Sequence, residues 1–135
     1  MTLRLLQVSG ADDFDRAFAA MAGEPTDAIL AFSDNITLAH RAHLAAFARE
    51  RRLPTVFGWK EYAEAGGLLS YGPRLDDAWG RIAVYVDKIL KGMKPADLPV
   101  EQLIEFELVI NLKTARALGL DIPPDVLQQA NEIIQ

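Results

Sequence analysis

The chain has 135 residues with a formal net charge of −5, and half of its residues are apolar. That length fits one domain with a single core, and the acidic balance argues against nucleic acid as a partner. With no cysteine, a disulfide framework, a thiolate nucleophile and a cysteine zinc site are excluded.

The opening run of Leu3, Leu5, Leu6 and Val8, closed by Ser9-Gly10, reads as a buried strand. Ser9-Gly10-Ala11-Asp12 resembles a capping box. Phe14, Ala17, Phe18 and Met21 follow at helical spacing up to Gly23 and Pro25. Asp27–Phe32 is almost continuously apolar, as in a strand covered by helices on both faces. Ser33-Asp34-Asn35 offers capping residues for one helix over about Ile36–Arg52. Thr55–Phe57 then reads as a third strand ending at Gly58-Trp59, with a short helix around Lys60–Glu64.

Leu68–Tyr71 reads as a fourth strand ending at Gly72-Pro73. Leu75, Ala78, Trp79, Ile82, Val86, Ile89 and Leu90 mark one face of an amphipathic helix stopped by Gly92. Lys94–Pro99 is a connector, and Phe106–Ile110 a fifth strand. Asn111 caps a helix that ends at Leu118 before Gly119. Pro123-Pro124 opens a last helix carrying Val126, Leu127, Ala130, Ile133 and Ile134.

Alternating strands and helices predict a single α/β domain over 1–135, a three-layer sandwich with a mainly parallel sheet of flavodoxin- or Rossmann-like form. Ligands of such sheets bind beyond the carboxyl ends of the strands. That edge carries Ser33, Asp34 and Asn35, then Gly58 and Trp59, then Ser70, Tyr71 and Gly72. Tyr71 and Trp59 suit a small ligand with an apolar body and polar ends, although packing beneath a loop accounts for either ring equally well.

Catalytic chemistry finds little support. His40 and His43 share a helix but lack a third metal ligand at a telling spacing, so a partly exposed pair is expected and no metal. Asp12, Asp13, Asp15, Asp76 and Asp77 sit in first helical turns, where capping explains them. Arg49, Arg51 and Arg52 are cations at a helix carboxyl end. Nucleophile-elbow, phosphate-loop and dinucleotide spacings are absent, so neither an enzyme nor a cofactor is expected.

Three stretches carry a resemblance: Glu64–Pro73 (EAGGLLSYGP), Tyr85–Gln102 (YVDKILKGMKPADLPVEQ), and Phe106–Ala115 with Ala117–Leu120 and Ile122–Pro124. In order and spacing they resemble the ABC-transporter substrate-binding proteins often described as tryptophan/tyrosine importers. The resemblance implies one lobe of a type I periplasmic binding protein, here the second lobe and the carboxy-terminal segment. It implies an amino acid or similar small molecule as ligand, an ABC permease as partner, and a periplasmic setting. The family's SYG segment falls on Ser70, Tyr71 and Gly72, and its acidic turn on Ser33-Asp34.

Met1–Gly10 does not read as an export signal, so a chain complete as given would stay in the cytoplasm; an excised domain and a natural truncation both fit. A lobe without its companion is also expected to form a homo-oligomer, through the last helix or through Leu3, Leu5 and Leu6. A stand-alone dimerising interaction domain is therefore the alternative function.

Overall fold

The computed structural model describes residues 2–102 and 105–135. Its first helix, α1 (Asp13–Ala22), is followed by β1 (Ile29–Leu30), α2 (Asn35–Ala39), α3 (Arg41–Glu50), β2 (Thr55–Phe57), α4 (Lys60–Glu64) and β3 (Leu69–Pro73). Then come α5 (Leu75–Leu90), a 3₁₀ turn at Pro95–Asp97, β4 (Phe106–Asn111), α6 (Leu112–Leu118), α7 (Pro124–Gln129) and β5 (Glu132–Ile134). The strands form one sheet in the order β1-β2-β3-β4-β5.

The pairs β1–β2, β2–β3 and β4–β5 are parallel, whereas β3–β4 is antiparallel. The α/β class and mainly parallel sheet are thus as expected, with one reversal. The helices α3 and α4 supply the crossovers that parallel neighbours need. The chain leaves β3 for the long α5 and returns the other way, so β4 lies against β3 with Ser70 opposite Val109 and Gly72 opposite Glu107. The amino end of β4 therefore lies beside the carboxyl ends of β1, β2 and β3.

The core lies on one face of the sheet, where Phe14, Phe18, Leu44, Phe47, Ala48 and Tyr62 from α1, α3 and α4 pack on Ile29 and Phe57. Phe18 stacks on Phe47 at 4.0 Å between ring centroids, and Phe57 on Tyr62 at 4.6 Å. His40 and His43 lie against Phe14 and Phe18 in this layer. The opposite face is only partly covered, since Leu30, Tyr71 and Phe106 are exposed.

Four expectations are corrected. Leu3–Val8 forms no strand; Arg4 instead ties the segment to the Ala20 carbonyl and to Glu24. An apolar run becomes a strand only where a neighbour takes its backbone groups, and β1, the sheet edge, pairs only with β2. The capping residue of α1 is also displaced by one: Asp13, not Asp12, accepts the Ser9 N–H at 2.8 Å. That bond and the Arg16 guanidinium hold the Asp13 carboxyl below its ordinary pKa.

The helix expected over Ile36–Arg52 breaks at His40 (φ −102°, ψ 15°), giving α2 and α3. The last helix ends at Gln129, because Asn131 both donates to the Leu108 carbonyl and accepts the Leu108 N–H, each at 2.8 Å. That clamp on β4 draws the β-branched Ile133 and Ile134 into β5.

Asn111 joins the two halves of the sheet. Its Oδ1 accepts the Thr114 N–H at 3.0 Å and caps α6, while its Nδ2 donates to the Ala63 carbonyl in α4 at 2.9 Å. Gly119 ends α6 with φ 72°, as expected of a left-handed terminator. Removing a buried cap and a cross-link together costs about 2–3 kcal/mol. Asn111→Ala should therefore lower the urea midpoint accordingly, with Asn111→Asp, which keeps the cap, falling between.

Candidate functional site

Each strand of the parallel half ends in a loop built from short polar residues or glycine. After β1, Asp34 caps α2: its Oδ1 accepts the N–H groups of Ile36 and Thr37, both at 2.8 Å, and Thr37 Oγ1 accepts the Asp34 N–H at 3.1 Å. This reciprocal pattern fixes the entry to the helix. Asn35, the first residue of α2, is exposed. Ser33 ties this loop to the next, its Oγ accepting the Gly58 N–H at 3.0 Å.

The tie is reinforced from below. Tyr62 on α4 reaches the Thr37 hydroxyl at 2.7 Å. Burial raises the Tyr62 pKa, opposed by the hydroxyls of Thr37 and Ser33, so the phenol stays protonated and can hydrogen-bond. Trp59, half-buried, leans on the core and lies 6.3 Å from the Tyr62 ring.

Backbone contact sets the spacing between the loops after β2 and β3. A Cβ on Gly72 would fall 1.9 Å from the Gly58 carbonyl oxygen, and one on Gly58 would fall 2.9 Å from Ser33 Oγ. Glycine at both positions lets the three strand ends draw together.

Side-chain alternation then splits the SYG segment. Ser70 and Gly72 point to the core face and are buried, whereas Tyr71 points to the open face. The Ser70 hydroxyl has no hydrogen-bond partner among the described residues. Tyr71 and Phe106 form an aromatic pair, with centroids 5.5 Å apart and a 31° tilt. Both are open to solvent, at 60% and 48% exposure. Away from this edge, the described residues form one open depression beside α1, lined by Leu6, Gln7, Asp13 and Arg16, and another lined by Met21, Thr26, Phe47 and Arg51.

The structure therefore gathers Ser33, Asp34, Asn35, Gly58, Trp59, Tyr71 and Gly72 at one edge and leaves Ser70 beneath it. Sequence reasoning missed Phe106 and Glu107, which reach this edge because β4 is antiparallel. Both are visible in the sequence at the start of an apolar run, but their use at the edge depends on strand direction. Glu107 lies opposite Gly72, and its Oε1 is buried with no hydrogen-bond partner among the described residues. Burial raises its pKa, with Lys60 and Arg74 pulling the other way and Glu132 and Glu61 adding to the rise. Among the described residues, no cluster of three His, Cys, Asp or Glu side chains could hold a metal.

The sequence matches the ABC transporter substrate binding protein family over residues 1–134. The chain belongs to that family. It is a family of binding proteins rather than enzymes, in keeping with an edge built from caps, glycines and aromatic rings.

Two solved structures share the fold closely. An ABC domain from Streptococcus pneumonia in complex with L-Trp is 28% identical, with a TM-score of 0.85 over 94% of this chain and 43% of its own. A conserved domain protein from Vibrio cholerae is 29% identical, with a TM-score of 0.85 over 93% of this chain and 42% of its own. A tyrosine-binding protein of Clostridioides difficile is 24% identical over 116 residues, 84% of this chain and 32% of that protein. The chain thus spans less than half the length of these relatives, and its sheet corresponds to one lobe. No helix among the described residues is long and apolar enough to cross a membrane.

Two measurements test this construction of the edge. A methyl group at Gly72 must push the β2 and β3 loops apart, at about 1–3 kcal/mol; Gly72→Ala should lower the unfolding free energy by that order in urea titration. For Glu107, the folded carboxyl keeps its proton to higher pH than the unfolded one. Its contribution favours folding below the unfolded pKa and is lost as pH rises through the folded one. Glu107→Gln should match the parent's melting temperature below about pH 4 and exceed it at neutral pH.

Proposed function

We propose that this chain forms one wall of a binding cleft for a small molecule, an amino acid, with the aromatic amino acids as the preferred class. The exposed Tyr71–Phe106 pair at the strand-end edge carries this reading. Two rings open to solvent on a polar rim are an unfavourable surface unless something covers them. A flat aromatic side chain suits both in size and in electronic character.

The polar rim supplies partners for the ends of an amino acid. Both capping bonds of Asp34 fall on Oδ1, which leaves Oδ2 for a ligand ammonium group. Trp59 and Gly58 border the same loops. Support for an aromatic ligand comes from relatives, one bound to L-Trp and another described as tyrosine-binding.

A single wall holds a ligand weakly, because affinity in such sites comes from enclosure. Full affinity then requires a second lobe closing over the edge by a hinge, followed by delivery to an ABC permease outside the cytoplasm. The Glu107 carboxyl, opposite Gly72, adds negative charge to the rim once it ionises.

Titration of the 135-residue chain with L-tryptophan, followed by amide chemical shifts, tests the reading. Shifts should concentrate at 33–35, 58–59 and 71–73 and saturate only at millimolar ligand, with L-leucine weaker. Tyr71→Ala should weaken binding by about 1 kcal/mol, the worth of one aromatic contact. Shifts spread over the α1 surface, or unchanged affinity in the variant, would remove the edge from the site.

A further inference from the structure

Three buried side-chain oxygens on the core side of the strand-end edge have no hydrogen-bond partner among the described residues: Glu61 Oε2, Ser70 Oγ and Glu107 Oε1. Buried polar atoms are nearly always paired, so three orphans on neighbouring elements call for a partner the chain does not supply. The sheet register explains how they meet. Cross-strand partners share a face, so Glu107, opposite Gly72, lies on the core face with Ser70 as its diagonal neighbour. Gly72 has no side chain to stand between them. Helix α4 packs over this face, tied to β4 by the Asn111 bond to Ala63, and Glu61 lies in its first turn.

The two carboxylates are half-buried, whereas Ser70 is only 1% exposed and lies deepest. Glu61 is close enough to Glu107 to add to the rise in its pKa, as Glu132 does, while Lys60 and Arg74 oppose it from a distance. Neither carboxylate has an ion-pair partner among the described residues. The Arg74 guanidinium is turned to Asp77, at 3.8 Å.

We propose that Glu61, Ser70 and Glu107 together bind a primary ammonium group. Such a group is compact, carries one positive charge and offers three N–H donors, one for each orphaned oxygen. Water brings two hydrogens and no charge to offset a carboxylate pair drawn out of bulk solvent. A metal ion is disfavoured, because no cluster of three acidic or histidine side chains among the described residues could hold one. The ammonium belongs either to a free amine or to the amino end of a ligand held at the edge. This inference does not rest on the aromatic reading of the edge, and an amine without a ring tests it.

The test is a titration of the 135-residue chain with methylammonium at neutral pH, followed by the carboxyl-carbon signals of its glutamates. The Glu61 and Glu107 signals should move together and saturate at millimolar amine. Tetramethylammonium, which has the charge but no N–H, should move them little. Glu107→Gln, followed at Glu61, should weaken binding about tenfold, the worth of one charge-assisted hydrogen bond, and Ser70→Ala by a smaller factor. Displacement of methylammonium by L-tryptophan would assign the place to the amino end of an edge ligand, and joint binding to a free amine. No saturating shift in the parent chain, an equal response to tetramethylammonium, or unchanged affinity in Glu107→Gln would each overturn the proposal. Binding seen only in Lys60→Met would do the same, by showing that the chain's own lysine fills the place.

Discussion

The strand-end edge depends on one backbone contact, that of Gly72 against the Gly58 carbonyl. A Cβ placed there would lie 1.9 Å from that oxygen, so no other residue allows the ends of β2 and β3 this approach. The contact sets the height of Tyr71 relative to the loop carrying Trp59. Ser33 then extends the link to the loop after β1 through the Gly58 N–H, and Tyr62 braces it through Thr37. Backbone contacts and caps, not long flexible side chains, thus hold the edge, which is how a binding surface is preorganised before ligand arrives.

The second constraint is the direction of β4. Its antiparallel pairing with β3 brings Phe106 beside Tyr71 and Glu107 opposite Gly72. In an all-parallel sheet these two residues would lie at the far edge. The excursion through α5 is what permits the reversal, since the chain leaves the sheet after Pro73 and re-enters it at Phe106. The same excursion leaves α5 lightly attached, held by Tyr85 and Arg81 to the returning segment.

Much of this was legible in the sequence where signals are local. The helices at Lys60–Glu64 and Leu75–Leu90, the Asn111 cap and the Gly119 stop follow from residues within one turn of each other. The α/β class followed from alternation, and the family resemblance from three spaced motifs. What the sequence hid was non-local. Leu3–Val8 has strand composition but no strand beside it, and Ile133-Ile134 has helical spacing but is captured by the Asn131 clamp on β4. The exposed stripe of α5 has the pattern of a buried one, because periodicity marks an apolar face without saying what covers it. The candidate edge was legible from topology at Ser33, Asp34, Gly58, Trp59 and Tyr71. Phe106 and Glu107 were not, because strand direction is a tertiary property.

The central claim is that this edge is a ligand wall. A crystal of the 135-residue chain grown with saturating L-tryptophan tests it most directly. The account predicts an indole ring stacked on Tyr71 and Phe106, with its amino group near Asp34. Tryptophan density elsewhere on the chain, with these two rings bare, would contradict it.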